Sequence, residues 1–180
     1  MILVVAATDR ELAGLDGAAT LSTGIGPVEA GLATAFALMR ERPDAVLDIG
    51  IAGSHTLDPP ALVLGSEAIY CDVLAASSTL PRVERVRPDA ALLDVARRVL
   101  PEAHVRPIGT SGRVGGASDC DVEAMEGFAV LRAAELVGVP ALELRAISNA
   151  VNEANRARWR FEEAFAALRE AVTRLLPALE

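Results

Sequence analysis

The sequence contains no lysine, only two cysteines and two histidines, and aromatic residues make up 3% of its 180 residues. Cys71 and Cys120 form no C-x-x-C pair, and His55 and His104 lie far apart, so neither a disulfide framework nor a zinc site is expected. Without lysine there is no GK[ST] phosphate-binding loop. The scarcity of aromatic side chains also argues against a stacking surface for single-stranded nucleic acid.

Long hydrophobic runs are missing as well. The apolar segment 1–7 lacks a basic leader and is far shorter than the roughly 18 residues that suggest a membrane span, so it is interpreted as the first buried strand of a cytoplasmic protein. The 25 acidic residues outnumber the 17 arginines and give a net charge of −8. A surface of that sign repels nucleic acid and anionic lipid. We therefore expect neither nucleic acid nor a membrane as a partner.

The remaining composition, with 52% hydrophobic and 23% charged residues, is that of a globular protein. Segments with helical spacing follow Pro27 and occupy 89–100, 122–137 and about 155–176, and 75–88 is predicted to be a surface loop. Short apolar runs predict strands at 2–7, 46–51, 62–70, 104–108 and 141–148. The alternation predicts an α/β fold of three αβα layers, in which helices flank a largely parallel mixed sheet.

Two glycine-rich segments, 23–27 and 50–54, stand next to predicted strands and helices. They are interpreted as tight turns, or as places where the backbone approaches a ligand closely. Glu29 interrupts the G-x-G-x-x-G pattern that begins at Gly24, so a dinucleotide-binding fold is the least supported reading.

Glu126 is the charged residue that fits its surroundings least. On a helix over 122–137 it falls in the centre of the apolar stripe. An ionised carboxylate that is buried without a partner costs several kcal/mol, so we expect either an arginine partner or a ligand there. Arg145 is a candidate partner, although Glu143 and Arg145 share one strand face and could pair with each other.

Two further polar residues follow predicted strands. Glu11 comes just after the first strand, and Asn149 ends the strand that begins near residue 141. Ligands of open α/β sheets bind at the carboxyl ends of strands, so both are candidate site residues. A helix-capping role for Glu11 and a turn role for Asn149 are the structural alternatives.

The order of these motifs resembles that of the nucleoside phosphorylase and nucleosidase superfamily. Within it the chain is most similar to the futalosine hydrolases and to the methylthioadenosine/S-adenosylhomocysteine nucleosidases. The matching segments are 7–12, 24–30, 48–53, 122–127 and the Arg-Ala-Ile-Ser-Asn sequence at 145–149. The resemblance implies a single nucleosidase domain over 1–180 that works without metal or cofactor and assembles as a homodimer or a higher homo-oligomer.

The resemblance also implies residue roles. Glu126 would bind the ribose hydroxyls, Glu11 would activate the attacking water, Arg145 would hold that water, and Asn149 would bind the purine. Met125, Ala52 and Gly53 would lie against the ribose. Trp159, with Arg156 or Arg158, is a candidate for contact with the carboxyphenyl tail that futalosine carries at C5′.

Two differences within the family decide which reaction the resemblance implies. Phosphorylases place an arginine before the glycine loop, where this chain has Asp48, and an acid there would repel phosphate. Adenine-specific relatives carry Asp at the position of Asn149, whose amide suits a 6-oxopurine. The expected reaction is hydrolysis of futalosine to hypoxanthine in menaquinone biosynthesis. The alternatives are an adenine-type nucleosidase, an inosine-type phosphorylase, and a nucleoside-binding protein without turnover.

Overall fold

The computed structural model describes residues 1–72, 83–115 and 118–180. In these ranges the strands β1 to β8 are Ile2–Ala6, Ala19–Ser22, Ala45–Ser54, Leu62–Tyr70, Arg85–Val86, His104–Thr110, Val122–Ala124 and Ala141–Ala150. The helices α1 to α5 are Asp9–Leu12, Pro27–Glu41, Ala90–Val99, Gly127–Val137 and Phe161–Leu179, and a 3₁₀ turn occupies Arg156–Arg158.

The eight described strands form one mixed sheet. The order is β2-β1-β3-β7-β6-β4-β5, and β8 pairs with both β3 and β4. This double pairing closes β3, β7, β6, β4 and β8 into a ring, from which β1 and β2 extend on one side. Five of the eight pairings are parallel, including the long one between β3 and β8. The carboxyl ends of β1, β3 and β8 therefore meet at one edge.

Helices cover both faces of the sheet. The helices α3 and α5 pack their buried residues, among them Ala96, Leu168 and Val172, on one core cluster with β1, β3 and β8. The helices α2 and α4 form the opposite layer around Leu38, Phe128 and Leu131, among others. These contacts confirm the predicted α/β architecture with a largely parallel mixed sheet.

The segment 122–137 is the clearest correction to the sequence analysis. It is not one helix, because Val122–Ala124 forms β7 and the helix begins at Gly127. Val122 and Ala124 alternate as buried residues with the half-buried Glu123, and this short strand pairs with β6. Glu126 is thus the N-cap residue of α4 and not part of a helical stripe. Its burial nevertheless agrees with the prediction, since only 6% of the residue is exposed.

Other boundaries also differ. The last helix starts at Phe161, after the 3₁₀ turn, and continues to Leu179. The sequence pattern did not indicate the short strand β2 or the short helix α1. Within the predicted loop 75–88, residues 85 and 86 form β5, while 75–82 lie outside the described residues. No helix in the described ranges combines the length and apolarity required to cross a membrane.

Candidate active site

A cavity of about 320 Å³ opens at the edge where β1, β3 and β8 end. Its volume is in the range of small-molecule sites. Eight residues received definite roles from the resemblance, and seven of them line this cavity: Glu11, Ala52, Gly53, Met125, Glu126, Asn149 and Trp159. The eighth, Arg145, is completely buried and does not line it. Of the two arginines suggested beside Trp159, Arg156 lines the cavity and Arg158 does not.

Glu11 is fixed on both of its carboxylate oxygens. Oε2 accepts hydrogen bonds from the Thr8 backbone N–H at 2.9 Å and from the Thr8 hydroxyl at 2.8 Å. Oε1 accepts from the backbone N–H of Ile51 at 3.2 Å. The short helix α1 and the end of β3 therefore hold the carboxylate in one orientation at the cavity wall. Only 9% of the residue is exposed.

Glu126 reaches the cavity from the start of α4. Its Oε1 accepts a hydrogen bond from the backbone N–H of Gly26 at 2.9 Å, and the amino-terminal end of a helix favours a negative charge. Burial raises the pKa of the Glu126 carboxyl above its ordinary value, against the lowering effects of the Arg145 charge and the Gly26 N–H. The turn at 24–26 thus binds a side chain of this chain, and both of its glycines have positive φ angles.

Arg145 lies behind the cavity wall between two acids. Its Nε donates to Glu143 Oε1 at 2.8 Å, and its Nη2 bonds to Asp48. Asp48 and Glu143 are partners in the parallel register of β3 and β8, and Arg145 stands opposite Gly50. A side chain at Gly50 would overlap the guanidinium, so glycine is required there. Of the two partners considered for Arg145, Glu143 is the one it binds, with Asp48 as a second, whereas Glu126 bonds to the Gly26 N–H.

The position of Asp48 corrects one expectation. This residue does not face the cavity and has no exposed surface, so it is not a barrier at the place where phosphate would bind. Within the described part of the chain, Asp48 Oδ1 and Glu143 Oε2 have no hydrogen-bond partner. Burial raises the pKa of both carboxyls, against the charge of Arg145. Because the carboxyls of Asp48 and Glu143 share one buried guanidinium, they retain a proton to a higher pH than free carboxyls do.

Asn149 presents its amide group to the cavity in a defined orientation. Its Nδ2 donates to the Ala150 carbonyl at 2.9 Å, and its Oδ1 accepts from the Ser148 hydroxyl at 2.7 Å. Because a carbonyl oxygen only accepts, the amide nitrogen must face Ala150. One N–H donor and one acceptor lone pair then remain. A Cβ at Gly53 would lie 3.1 Å from Nδ2, so a larger residue there would crowd the amide.

The segment after β8 forms an aromatic wall of the cavity. Trp159, Phe161 and Phe165 all line it, and their rings follow one another at centroid distances of 5.4 and 6.2 Å. The indole N–H of Trp159 donates to the Glu153 carbonyl at 2.9 Å. This bond fixes the indole ring. Both phenylalanines fall within the helix predicted over about 155–176, and neither was selected there as a site residue.

Three positioning groups escaped the sequence analysis: Thr8 beside Glu11, the Gly26 N–H beside Glu126, and Ser148 beside Asn149. The first had a signal in the sequence, because Thr8-Asp9-Arg10-Glu11 has the T-x-x-E spacing of a capping box. The contact between Gly26 and Glu126 joins residues 100 positions apart, and no local pattern reveals it. In the described ranges, no cluster of three or more His, Cys, Asp or Glu side chains is placed to hold a metal ion.

Comparison with known proteins identifies the relatives of this site. The family model of the phosphorylase superfamily matches residues 16–119. Futalosine hydrolase of Streptomyces coelicolor is 37% identical over 190 aligned positions, which cover 92% of this chain and 81% of that protein.

Two solved structures share the fold. The native structure of futalosine hydrolase from Helicobacter pylori superimposes with a TM-score of 0.86 at 18% identity, over 99% of this chain and 96% of that one. A methylthioadenosine/S-adenosylhomocysteine nucleosidase of Colwellia psychrerythraea in complex with adenine also reaches 0.86, at 21% identity, over 99% and 95% of the two chains. The fold therefore does not separate these two activities.

The raised carboxyl pKa values predict how stability depends on pH. Unfolded carboxyls titrate near pH 4, so above that value the folded chain binds more protons than the unfolded chain, and the free energy of unfolding falls as pH rises. We expect a higher melting temperature at pH 5.5 than at pH 8. Glu143→Gln should reduce the difference in the free energy of unfolding between pH 5.5 and pH 8 by about 1 kcal/mol, or about 2–4 °C in melting temperature.

Calorimetry across this pH range measures the effect. Glu163→Gln is the matched control, because the hydrogen bond from Arg160 lowers the pKa of this exposed carboxyl and outweighs the effect of desolvation. Its slope above pH 5.5 should equal that of the unmodified chain. Equal slopes for Glu143→Gln and the unmodified chain would show that the buried acids hold no extra proton.

Proposed function

The chain belongs to the phosphorylase superfamily, and we propose that it is a futalosine hydrolase, which cleaves the N-glycosidic bond of futalosine to release hypoxanthine and dehypoxanthinyl futalosine. The observation that carries the proposal is that two buried carboxylates, Glu11 and Glu126, and the amide of Asn149 line one cavity. We place the reaction in menaquinone biosynthesis in the cytoplasm.

The two carboxylates match two requirements of the cleavage reaction, stabilisation of positive charge and activation of water. Cleavage of the glycosidic bond develops positive charge at C1′ and O4′, and a carboxylate held in a water-poor cleft stabilises that charge. We assign this role to Glu126, which would also accept hydrogen bonds from the ribose hydroxyls, with Met125, Ala52 and Gly53 against the sugar. Glu11 would deprotonate the attacking water, a contribution of about 10²–10⁴-fold to the rate.

The pairing and burial of Arg145 favour water over phosphate as the nucleophile. Its guanidinium already bonds to Asp48 and Glu143, and it is completely buried. A buried cation that is already bonded to two acids is a poor ligand for a phosphate dianion. In this proposal Arg145 is a positioning residue: a Cβ at Gly50 would overlap its guanidinium and lie 2.9 Å from Glu11 Oε1, so the two side chains flank the same point.

The amide of Asn149 favours a 6-oxopurine. Its free N–H donates to O6 or N7, and its carbonyl accepts from a protonated ring nitrogen. A 6-aminopurine would place its own N–H donors against the Asn149 N–H. An unpaired buried donor costs about 1–3 kcal/mol, which corresponds to about 10- to 100-fold in selectivity. This local chemistry separates hypoxanthine from adenine, which the shared fold does not.

A base-release assay tests the proposed activity. We expect hypoxanthine release from futalosine in phosphate-free buffer, no stimulation by phosphate, and much slower cleavage of methylthioadenosine and inosine. Chromatography of the released bases measures all three reactions. Preferred cleavage of methylthioadenosine would assign the adenine-type activity, a requirement for phosphate would assign a phosphorylase, and tight binding of futalosine without base release would assign a binding protein.

Substitution of Glu126 and of Glu11 should change different kinetic constants. Glu126→Gln keeps the side-chain volume but removes the charge beneath C1′, so kcat/KM for futalosine should fall by about 10²–10³-fold. Glu11→Gln should lower kcat by about 10²–10⁴-fold and leave KM within about twofold, because a base acts mainly in the transition state. The exposed Glu170→Gln serves as the control and should retain activity. A rise in KM without loss of kcat in Glu11→Gln would contradict its assignment.

Asn149→Asp should change the choice of base. The substitution replaces the amide donor with an acceptor or, when protonated, with a single acid proton. We expect the ratio of kcat/KM for futalosine to that for its 6-amino analogue to fall by about 10- to 100-fold. Steady-state kinetics on both substrates measure the ratio. If the ratio is unchanged, other residues recognise the base.

We also place a homodimer interface on the apolar face formed by α2 and α4. In the described ranges, seven of the eleven exposed large hydrophobic side chains lie on these helices or next to them: Ile25, Val28, Leu32, Phe36, Met39, Leu136 and Val137. Phe36 and Met39 are 69% and 71% exposed. A contiguous apolar face of this kind is typical of interaction sites. Ile25 also lines the cavity, so a second copy on this face would border the active site.

Sedimentation tests this assembly. The unmodified chain should sediment with twice the mass of one chain, and the double variant Phe36→Glu/Met39→Glu should sediment as a monomer with unchanged circular dichroism. Val105→Glu changes an exposed apolar residue of β6, outside this face, and should remain dimeric. If the unmodified chain sediments as a monomer at micromolar concentration, the proposed interface is excluded.

A further inference from the structure

The cavity has a second region whose chemistry is opposite to that of its acidic part. Three arginines, Arg10, Arg113 and Arg156, line the cavity together with the aromatic wall. The guanidinium carbon of Arg156 lies 5.5 Å from the centre of the Trp159 ring, and that of Arg10 lies 5.0 Å from the centre of the Phe165 ring. Positive groups and flat apolar surfaces are thus combined at one side of the cavity.

Arg113 comes to this side from another part of the chain. It lies in the loop after β6, and a Cβ at the nearby Gly115 would be 3.5 Å from the Val151 carbonyl. This loop therefore packs against the start of the segment that carries Arg156 and Trp159. The two elements approach the cavity from different strands, Arg113 after β6 and Arg156 after β8, and both side chains line it.

The charges of Arg113 and Arg156 are not neutralised within the described residues. Neither guanidinium has a hydrogen-bond or ion-pair partner there, whereas Arg10 pairs with Glu162 at 2.9 Å in an exposed contact. Exposed pairs of this kind contribute about 0–1 kcal/mol and exchange easily for another anion. Arg158 differs, because it pairs with Glu153 and does not line the cavity. In a chain with a net charge of −8, two free cations on one cavity mark a place for an anion.

We propose that Arg113 and Arg156, together with the aromatic wall, form a subsite that binds an aromatic carboxylate attached at the 5′ end of the nucleoside. Guanidinium groups bind carboxylates through paired N–H donors, and the rings of Trp159 and Phe161 match a flat aryl group. This inference rests on the proposed function, because the aryl carboxylate would be the tail of futalosine. It makes Arg113 and Arg156 specificity-determining residues, while Glu11, Glu126 and Asn149 act on the sugar and the base.

Kinetics with a matched pair of substrates test the subsite. Futalosine and its carboxamide analogue differ only in the tail, where the amide lacks the charge and one acceptor oxygen and adds N–H donors. We expect the unmodified enzyme to prefer the acid by about 10- to 100-fold in kcat/KM, mainly through KM, as for charged hydrogen bonds of about 1.5–3 kcal/mol. In Arg113→Gln/Arg156→Gln this preference should fall to about onefold. Arg158→Gln is the control and should keep the preference.

A binding measurement separates failure of this inference from failure of the proposed function. The chain has one tryptophan, so its fluorescence reports on the wall at Trp159. Benzoate should change the Trp159 fluorescence in a saturable way, benzamide at the same concentrations should not, and Arg113→Gln/Arg156→Gln should abolish the response. If futalosine is not cleaved but benzoate binds in this way, the proposed function fails and the subsite stands. If futalosine and its amide are cleaved equally well, or benzoate and benzamide act alike, the subsite is wrong.

Discussion

The buried guanidinium of Arg145 is the constraint around which this site is built. A charge without exposed surface is tolerated only when it is paired and hydrogen-bonded, and here Glu143 and Asp48 supply both. Burial lowers the pKa of Arg145, but the two acids more than offset this effect and keep the group protonated. The parallel register of β3 and β8 brings the three side chains to the same face of the sheet.

This ion cluster also dictates where glycine occurs. Gly50 leaves the space that the guanidinium occupies, and a Cβ at Gly127 would overlap the Glu143 carboxylate at the start of α4. Glu126 directly precedes Gly127, so the helix end that carries the cavity carboxylate is seated on the cluster. The packing of the interior therefore sets the positions of Glu11 and Glu126 with little freedom. Such preorganisation is what electrostatic catalysis requires, since fixed charges need no rearrangement during the reaction.

Negative and positive side chains lie in different regions of the cavity. Glu11 and Glu126 lie where strands and helix ends meet, whereas Arg10 and Arg156 lie over the aromatic side chains of the segment after β8 and Arg113 lines the same cavity. A nucleoside with a carboxylate-bearing aryl tail is complementary to both regions, because the sugar becomes positive during cleavage and the tail is negative.

The sequence by itself determined the alternation of strands and helices, the burial of Glu126 and the selection of Glu11, Asn149 and Trp159. Apolar periodicity and the carboxyl ends of strands are local properties, and they suffice for the alternation and for the selection of Glu11 and Asn149. The burial of Glu126 was inferred from a helix over 122–137, whereas the helix begins only at Gly127. Only the tertiary structure decided that Gly26 bonds to Glu126, that Asp48 turns inward to Arg145, and that the loop carrying Arg113 lies against Val151 at the cavity. Each of these contacts joins segments distant in sequence, and their geometry follows from strand register and loop packing, which no local pattern encodes.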